Sequence, residues 1–250
     1  MEAREGGKIR TVINFNIAQW RAWAPGLNTP DDWRQWACAP SAHAACDGTP
    51  DVSFLPAMQR RRLGPLARMV FHVGWPLAEG HAAMPLVFMS RHGETPLTYN
   101  ILRDLAADEP LSPTQFSLSV HNAVIGLWSI LRKETSEMTA LAAAGDGLEH
   151  GLIEAAALLS DGAEAVLLII SEEQPPAAYA TYITDIPFSY AVGLVITPGN
   201  DWTLALTPAT EPQQASPLPH ALSLLRVLAT EQSTCNHVWK RRAWNWQRNH

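Results

Sequence analysis

No stretch of about 18 apolar residues occurs in this sequence, the length a membrane-spanning helix needs. The longest candidate, residues 163–170, contains Glu164 and is of strand length. The N-terminal MEAREGGKIR carries charges where a secretory signal would need an apolar stretch. No signal peptide or membrane insertion is expected, and cytoplasmic residence follows as the default. Cysteine is scarce. Cys38, Cys46 and Cys235 are odd in number and irregularly spaced, which argues against a disulfide framework. His43 lies between Cys38 and Cys46, but the spacing fits no zinc pattern, so these are read as surface-loop cysteines. A basic excess is also missing: 18 Lys and Arg stand against 24 Asp and Glu, for a formal charge of -6. That balance disfavours a nucleic-acid partner. The 15 glycines and 19 prolines are too few and too scattered for a fibrous chain.

What is present is a globular composition, 47% hydrophobic over 250 residues, read as one domain spanning 1–250. The segment 7–23 opens with a partly alternating strand, Val12, Ile13, Phe15 and Ile17. Trp20, Trp23, Trp33 and Trp36 follow in a proline-punctuated stretch and are read as covering a core edge or an interface. Residues 37–56 read as a loop, 63–78 as a helix, 85–90 as a short buried strand, and 97–107 as a helix. Ser119 is read as the cap of a helix reaching about residue 131. A short strand, 138–144, a Gly145-Asp146-Gly147 turn and a helix over 148–159 come next. Residues 165–171 form a strand buried on both faces by continuous apolarity. Residues 190–197 and 202–207 read as a hairpin joined by Pro198-Gly199-Asn200-Asp201, followed by a helix over 220–230 and a last strand within 243–247. Strands alternating with helices predict a layered α/β fold with a mixed sheet.

The strand–turn–helix around residues 141–148 is where chemistry would sit. A helix N-terminus at such an elbow can stabilise an anion, and the elbow residue must then be Cys or Ser to attack a carbonyl. Here the run is Ala142-Ala143-Ala144-Gly145-Asp146-Gly147, and nothing in it is nucleophilic. Asp146 is read as a capping carboxylate and His150 as an exposed or interface residue. Ser119 and His121 are too close in sequence to be taken as a catalytic pair, so His121 is assigned a structural hydrogen-bonding role. His92 and Glu94 are read as a turn network. The tail 239–246 interleaves bases with aromatics and is read as an edge strand or interface. A hydrolase using Ser119 or Ser90 would lack a Gly-x-Ser-x-Gly elbow, and a free-standing acyl or aromatic-ligand binder would need a preformed pocket.

Several motifs together carry a resemblance. SPTQFSLSVHNAVIGLWSI (112–130), the elbow segment 138–171, the strand 190–196, FLPAMQRRRLGPLAR (54–68) and VFMSRHGE (87–94) resemble the short β-ketoacyl-synthase-like chain-length factors of aryl-polyene biosynthesis. The resemblance spans nearly the whole chain. It implies a thiolase-like half-fold, with Ala144 at the position of the family's nucleophilic cysteine and Gly147 as the glycine three residues on. It also implies that the second half, which supplies the catalytic histidines, is missing. The expected role is then that of a non-catalytic subunit. It would form a heterodimer with a catalytic ketosynthase and shape that partner's acyl tunnel, with the acyl carrier protein reached through the complex. No metal or organic cofactor is expected. Pro113, Phe116, Ser119, His121, Asn122 and Trp128 are expected at the partner interface, and Arg60, Arg61 and Arg62 at a carrier-protein or partner docking site.

Overall fold

The computed structural model describes residues 11–39, 47–81, 83–209 and 218–249. His43 and Cys46 lie outside the described residues. The elements run β1 (Thr11–Trp23), α1 (Pro30–Cys38), α2 (Ala57–Arg60), α3 (Pro65–Ala78), β2 (Leu86–Met89), α4 (Thr95–Ala106), α5 (Pro113–Leu118), α6 (Ala123–Arg132), β3 (Met138–Leu141), α7 (Gly147–Ser160), β4 (Val166–Glu172), β5 (Tyr190–Pro208), α8 (His220–Ala229), β6 (Thr234–Trp239) and β7 (Arg242–Arg248). The strands form one sheet in the order β3-β2-β4-β5-β7-β6, with β1 also on β5. β2 is parallel to β3 and β4, and the remaining pairs are antiparallel.

Strand alternation sorts the core into two layers. Leu86, Phe88, Leu167 and Ile169 point to one face, where α3 and α6 pack with Val70, Phe71, Val73 and Trp128. Val87, Met89, Leu168 and Ile170 point to the other, against Leu148 and Leu152 of α7 and Leu222 and Leu225 of α8. Trp33 and Trp36 of α1 join this second layer. Helix α1 was hidden by its prolines, yet its start is specified: Thr29 and Asp32 form a capping box with Pro30 in the first turn. Gly74 lets α3 approach the sheet, since a Cβ there would lie 2.5 Å from Ile169 Cδ1 and 3.0 Å from Trp128 Cη2.

Three expectations are corrected. The hairpin at 198–201 is instead the middle of one 19-residue strand, β5. β4 pairs with its first half and β7 with its second, while β1 spans both. The Pro-Gly irregularity is matched by register shifts in β1 next to Asn16, whose Oδ1 accepts the Asp201 N–H at 2.9 Å. The helix expected from Ser119 is α6, which starts only at Ala123, and Ser119 instead ends a separate helix, α5. Ser112 caps α5, accepting the Gln115 N–H, and the Ser119 hydroxyl donates to the Phe116 carbonyl at 2.9 Å. The tail aromatics sit on two strands: Trp239 ends β6, while Trp244 and Trp246 on β7 are buried core.

Candidate functional site: the elbow before α7

β3 ends at Leu141, and the chain turns through Ala144 and Gly145 into α7 at Gly147. Gly145 is required by close approach, while at Gly147 the end of the Met89 side chain would have to yield. A Cβ on Gly145 would lie 2.3 Å from the Trp239 ring, and one on Gly147 would lie 2.1 Å from Met89 Cε. Asp146 makes no side-chain cap, contrary to expectation. Its buried carboxylate instead accepts from Arg242 Nε at 2.6 Å, Arg242 Nη2 at 3.0 Å and Trp244 Nε1 at 3.1 Å. This charge-assisted fork ties the start of α7 to β7. His150 turns back, with Nδ1 2.8 Å from the Asp146 carbonyl.

A cavity of about 470 Å3 opens beside the elbow. Ala144 and Gly145 form one wall, and Trp239 and His220 another. The loop between β4 and β5 contributes Tyr182, Thr184 and Asp185. That loop is clipped down at Asp185, which accepts from Arg91 Nη1 at 2.6 Å and meets His92 Nε2 at 3.2 Å. The His92 bond and the Arg91 charge outweigh burial and hold the Asp185 carboxyl at about 2. His92 is thus a partner of Asp185 rather than of Glu94.

Behind the cavity wall lies a group the sequence reading missed. Glu149, fully buried on α7, accepts from His220 Nδ1 at 2.9 Å, His237 Nδ1 at 2.7 Å and Trp246 Nε1 at 3.2 Å. The two imidazoles stack with centroids 4.4 Å apart. Burial alone would raise the Glu149 pKa, but the two imidazole bonds more than offset it and hold the carboxyl at about 2. α8 and β6, which follow the long strand, deliver both. Glu149, His220 and His237 each offer a ligand atom within 4.8 Å of the others, a set able to hold a metal. Their present separations are those of hydrogen bonds.

The serines of the hydrolase reading are otherwise engaged. The buried Ser90 hydroxyl donates to Glu172 Oε2 at 3.0 Å and accepts the Gly93 N–H at 2.8 Å. Glu172 also accepts the Arg91 and His92 backbone N–H groups, yet burial keeps its pKa raised. His121 Nε2 meets the Ser90 carbonyl at 2.8 Å, a structural bond. Of the residues expected at an interface, Pro113 opens α5 and Phe116 is 65% exposed. Asn122 is exposed at the start of α6, without a side-chain cap. Trp128 is corrected: at 1% exposure it is core, packed on Phe71 and Trp75 under the Arg132 guanidinium. Arg60 and Arg61 line a shallow groove with Asp51 and Arg68, and Arg62 is exposed nearby.

The β-ketoacyl synthase N-terminal domain model matches residues 33–247. The chain belongs to that family. A chain of the solved complex of the ketosynthase ApeO with its chain length factor ApeC, from Xenorhabdus doucetiae, is 30% identical with a TM-score of 0.85. The match covers 94% of this chain and 100% of that one. The ishigamide ketosynthase/chain length factor is 14% identical, TM-score 0.58, over 80% of this chain and 67% of that one. A β-ketoacyl synthase from Burkholderia phymatum STM815 is 11% identical, TM-score 0.57, over 87% and 70%. These two share the fold, which is the expected thiolase-like mixed-sheet α/β class. No curated protein matches the chain. Among the described residues no helix is long and apolar enough to cross a membrane.

Proposed function

We propose that this chain is a single-domain, non-catalytic chain-length-factor subunit of the ketosynthase-like family. It acts in the cytoplasm as the heterodimeric partner of a catalytic β-ketoacyl synthase and shapes the acyl tunnel during aryl-polyene extension on an acyl carrier protein. The observation that carries this reading is the elbow. The turn, the helix and the cavity are all present, and the turn residues 142–147 include neither Cys nor Ser, which supports reading Ala144 as the residue in the nucleophile's place. His220 and His237 are both spent on Glu149.

The surface supports a permanent partner. Among the described residues β3 is an edge strand, four residues long and half-buried throughout, paired with β2 alone. Such an edge is a template for a second chain. Phe116 and Ile130 lie 65% and 66% exposed on α5 and α6, and Val120 is exposed between them. Apolar groups of this kind mark an interaction surface. Pro113, Ser119, His121 and Asn122 fall on the same α5–α6 segment and are assigned to that surface or its support. Arg60, Arg61 and Arg62 are assigned to docking of the acidic carrier protein or the partner.

The test is co-expression with the ketosynthase of the same gene neighbourhood, tagging only this chain, followed by size exclusion with light scattering. The expected result is a one-to-one heterodimer whose condensing activity is lost when the partner's cysteine alone is replaced. A chain that remains monomeric beside the ketosynthase would overturn the reading.

A further inference from the structure

The buried carboxylates among the described residues are Glu94, Glu134, Asp146, Glu149 and Glu172. All but Glu94 have partners. Glu134 takes Arg132 and the Met84 N–H, and Asp146 takes Arg242 and Trp244. Glu149 takes two imidazoles and Trp246, and Glu172 takes Ser90 and two backbone N–H groups. Glu94 is 7% exposed, and among the described residues its carboxyl makes no hydrogen bond and no ion pair. A buried polar group without a partner is costly, and such a group in a folded chain calls for a cause.

Its neighbour makes the position less favourable still. Glu173, half-buried just after β4, also lacks a side-chain partner among the described residues. Burial pushes both carboxyls up to about 7, and repulsion from Glu173 adds to the effect at Glu94. The nearby cations are committed elsewhere. Arg91 and His92, in the turn that carries Glu94, hold Asp185, and Arg68 donates to the Leu63 and Arg60 carbonyls. Gly64 lies beside Glu94, since a Cβ there would sit 3.7 Å from Glu94 Oε2. The start of α3 at Gly64 has no side-chain cap, so its partial positive charge favours the ionised carboxyl without bonding it.

A metal ion is disfavoured by the donor count. Hard cations take six or more oxygens, and among the described residues no third His, Cys, Asp or Glu joins this pair in a metal-sized group. The place of the pair favours a protein side chain. Glu94 and Glu173 follow β2 and β4, at the same end of two parallel strands. The Glu94 turn packs on the α5–α6 loop: His121 Nε2 meets the Ser90 carbonyl at 2.8 Å, and a Cβ on Gly93 would lie 3.1 Å from His121 Cδ2. Val120, next to His121, is exposed. That loop belongs to the surface assigned above to the ketosynthase. A guanidinium suits two carboxylates, because its planar fork of five N–H donors can serve both and it stays charged at any working pH.

We propose that Glu94 and Glu173 are the receptor for an arginine side chain of the docked ketosynthase. The inference rests on the heterodimer proposed above and names the chemistry of one of its contacts. On assembly the guanidinium completes both carboxylates. A pair that weakens the free chain thereby selects its partner, since a subunit without the arginine would leave two carboxylates buried and unpaired in the interface.

The test uses the complex of the full chain with the ketosynthase of the same gene neighbourhood, at pH 8. Dissociation is followed by analytical ultracentrifugation over a dilution series for wild type, Glu94→Gln, Glu173→Gln and the double variant. The double variant is expected to raise the dissociation constant at least tenfold, and its salt dependence should be shallower than that of wild type. Thermal denaturation separates this loss from unfolding, because each glutamine removes an unpaired carboxylate and leaves the free chain at least as stable. Should Glu94→Gln fail to fold, the half-buried Glu173→Gln decides, with a rise of at least threefold expected. Equal dissociation constants for wild type and the double variant would overturn the proposal while the heterodimer stands. So would wild-type assembly that EDTA abolishes, which would put a metal ion in the place of the arginine. A wild-type chain that binds no ketosynthase removes both readings.

Discussion

At the β6 edge of the sheet, a buried carboxylate collects three donors. Glu149 takes two imidazoles and an indole, and one turn earlier Asp146 takes a guanidinium and a second indole. At the β3 edge, at the far side of the same sheet, four short-strand residues are half-buried with one neighbour, and the helices above carry exposed Phe116 and Ile130. The β6 edge, itself paired on one side only, is cross-linked within the chain by Glu149 and Asp146 to α8, β6 and β7. Under the proposed function the β3 edge is the one a partner would cover. A fold of this size can support both because the polar cluster locks the elbow independently of the open apolar side.

The comparison breaks first at Glu149. Glu149→Ala orphans two histidines and the Trp246 indole in a dry site, and removing one member of a buried charged group costs about 3–5 kcal/mol. Urea denaturation should register a loss of that size at pH 7. With its pKa held at about 2, the Glu149 contribution is complete above the ordinary carboxylate value and is lost as pH falls toward 2. The gap between wild type and variant should therefore narrow on acidification below about pH 4.5. A gap that stays constant down to pH 2 would mean that the imidazoles do not hold the carboxylate ionised.

Glu94 and Glu173 sharpen the contrast. Burial pushes both up to about 7, and for Glu94 the neighbouring Glu173 adds like-charge repulsion. A raised carboxyl favours the protonated fold, so stability is full below the unfolded value and declines as pH rises through 7. Glu94→Gln and Glu173→Gln should each stabilise the chain by about 1–3 kcal/mol at pH 8 and leave it unchanged at pH 4. Thermal denaturation at the two pH values reads the difference.

The two edges were not equally legible in the sequence. The β2–α4, β3–α7 and β4 segments could be read because apolar runs and glycine stops are local signals. Glu149, His220 and His237 could not be, since they are separated by up to 88 residues and meet only after β5 has crossed the sheet. A glutamate on the apolar face of an otherwise small-residue helix was the one available hint, because burial there demands partners. β5 itself was misread because Pro198-Gly199 is a turn signal, and only a tertiary partner, the shifted β1, can keep such a stretch extended. Trp128 was placed at an interface on its motif, although its spacing from Val124 on α6 matches the face that packs on α3.

The smallest expected change in stability belongs to the open edge. Ile130 projects from α6 with 66% of its surface in water, so Ile130→Lys removes little buried area and should shift the unfolding free energy by no more than about 0.5 kcal/mol. Its effect on assembly should be the reverse. In a heterodimer that covers α6, the lysine ammonium would be desolvated without a partner, and one such group at the centre of an interface weakens binding by about 2 kcal/mol or more. The pair of measurements separates the two edges. A variant that folds like wild type and no longer co-purifies with the ketosynthase marks α6 as covered. A variant that assembles normally moves the contact away from α6 and leaves the β3 edge to carry the partner. A variant that unfolds would mean that Ile130 is held by packing within the chain.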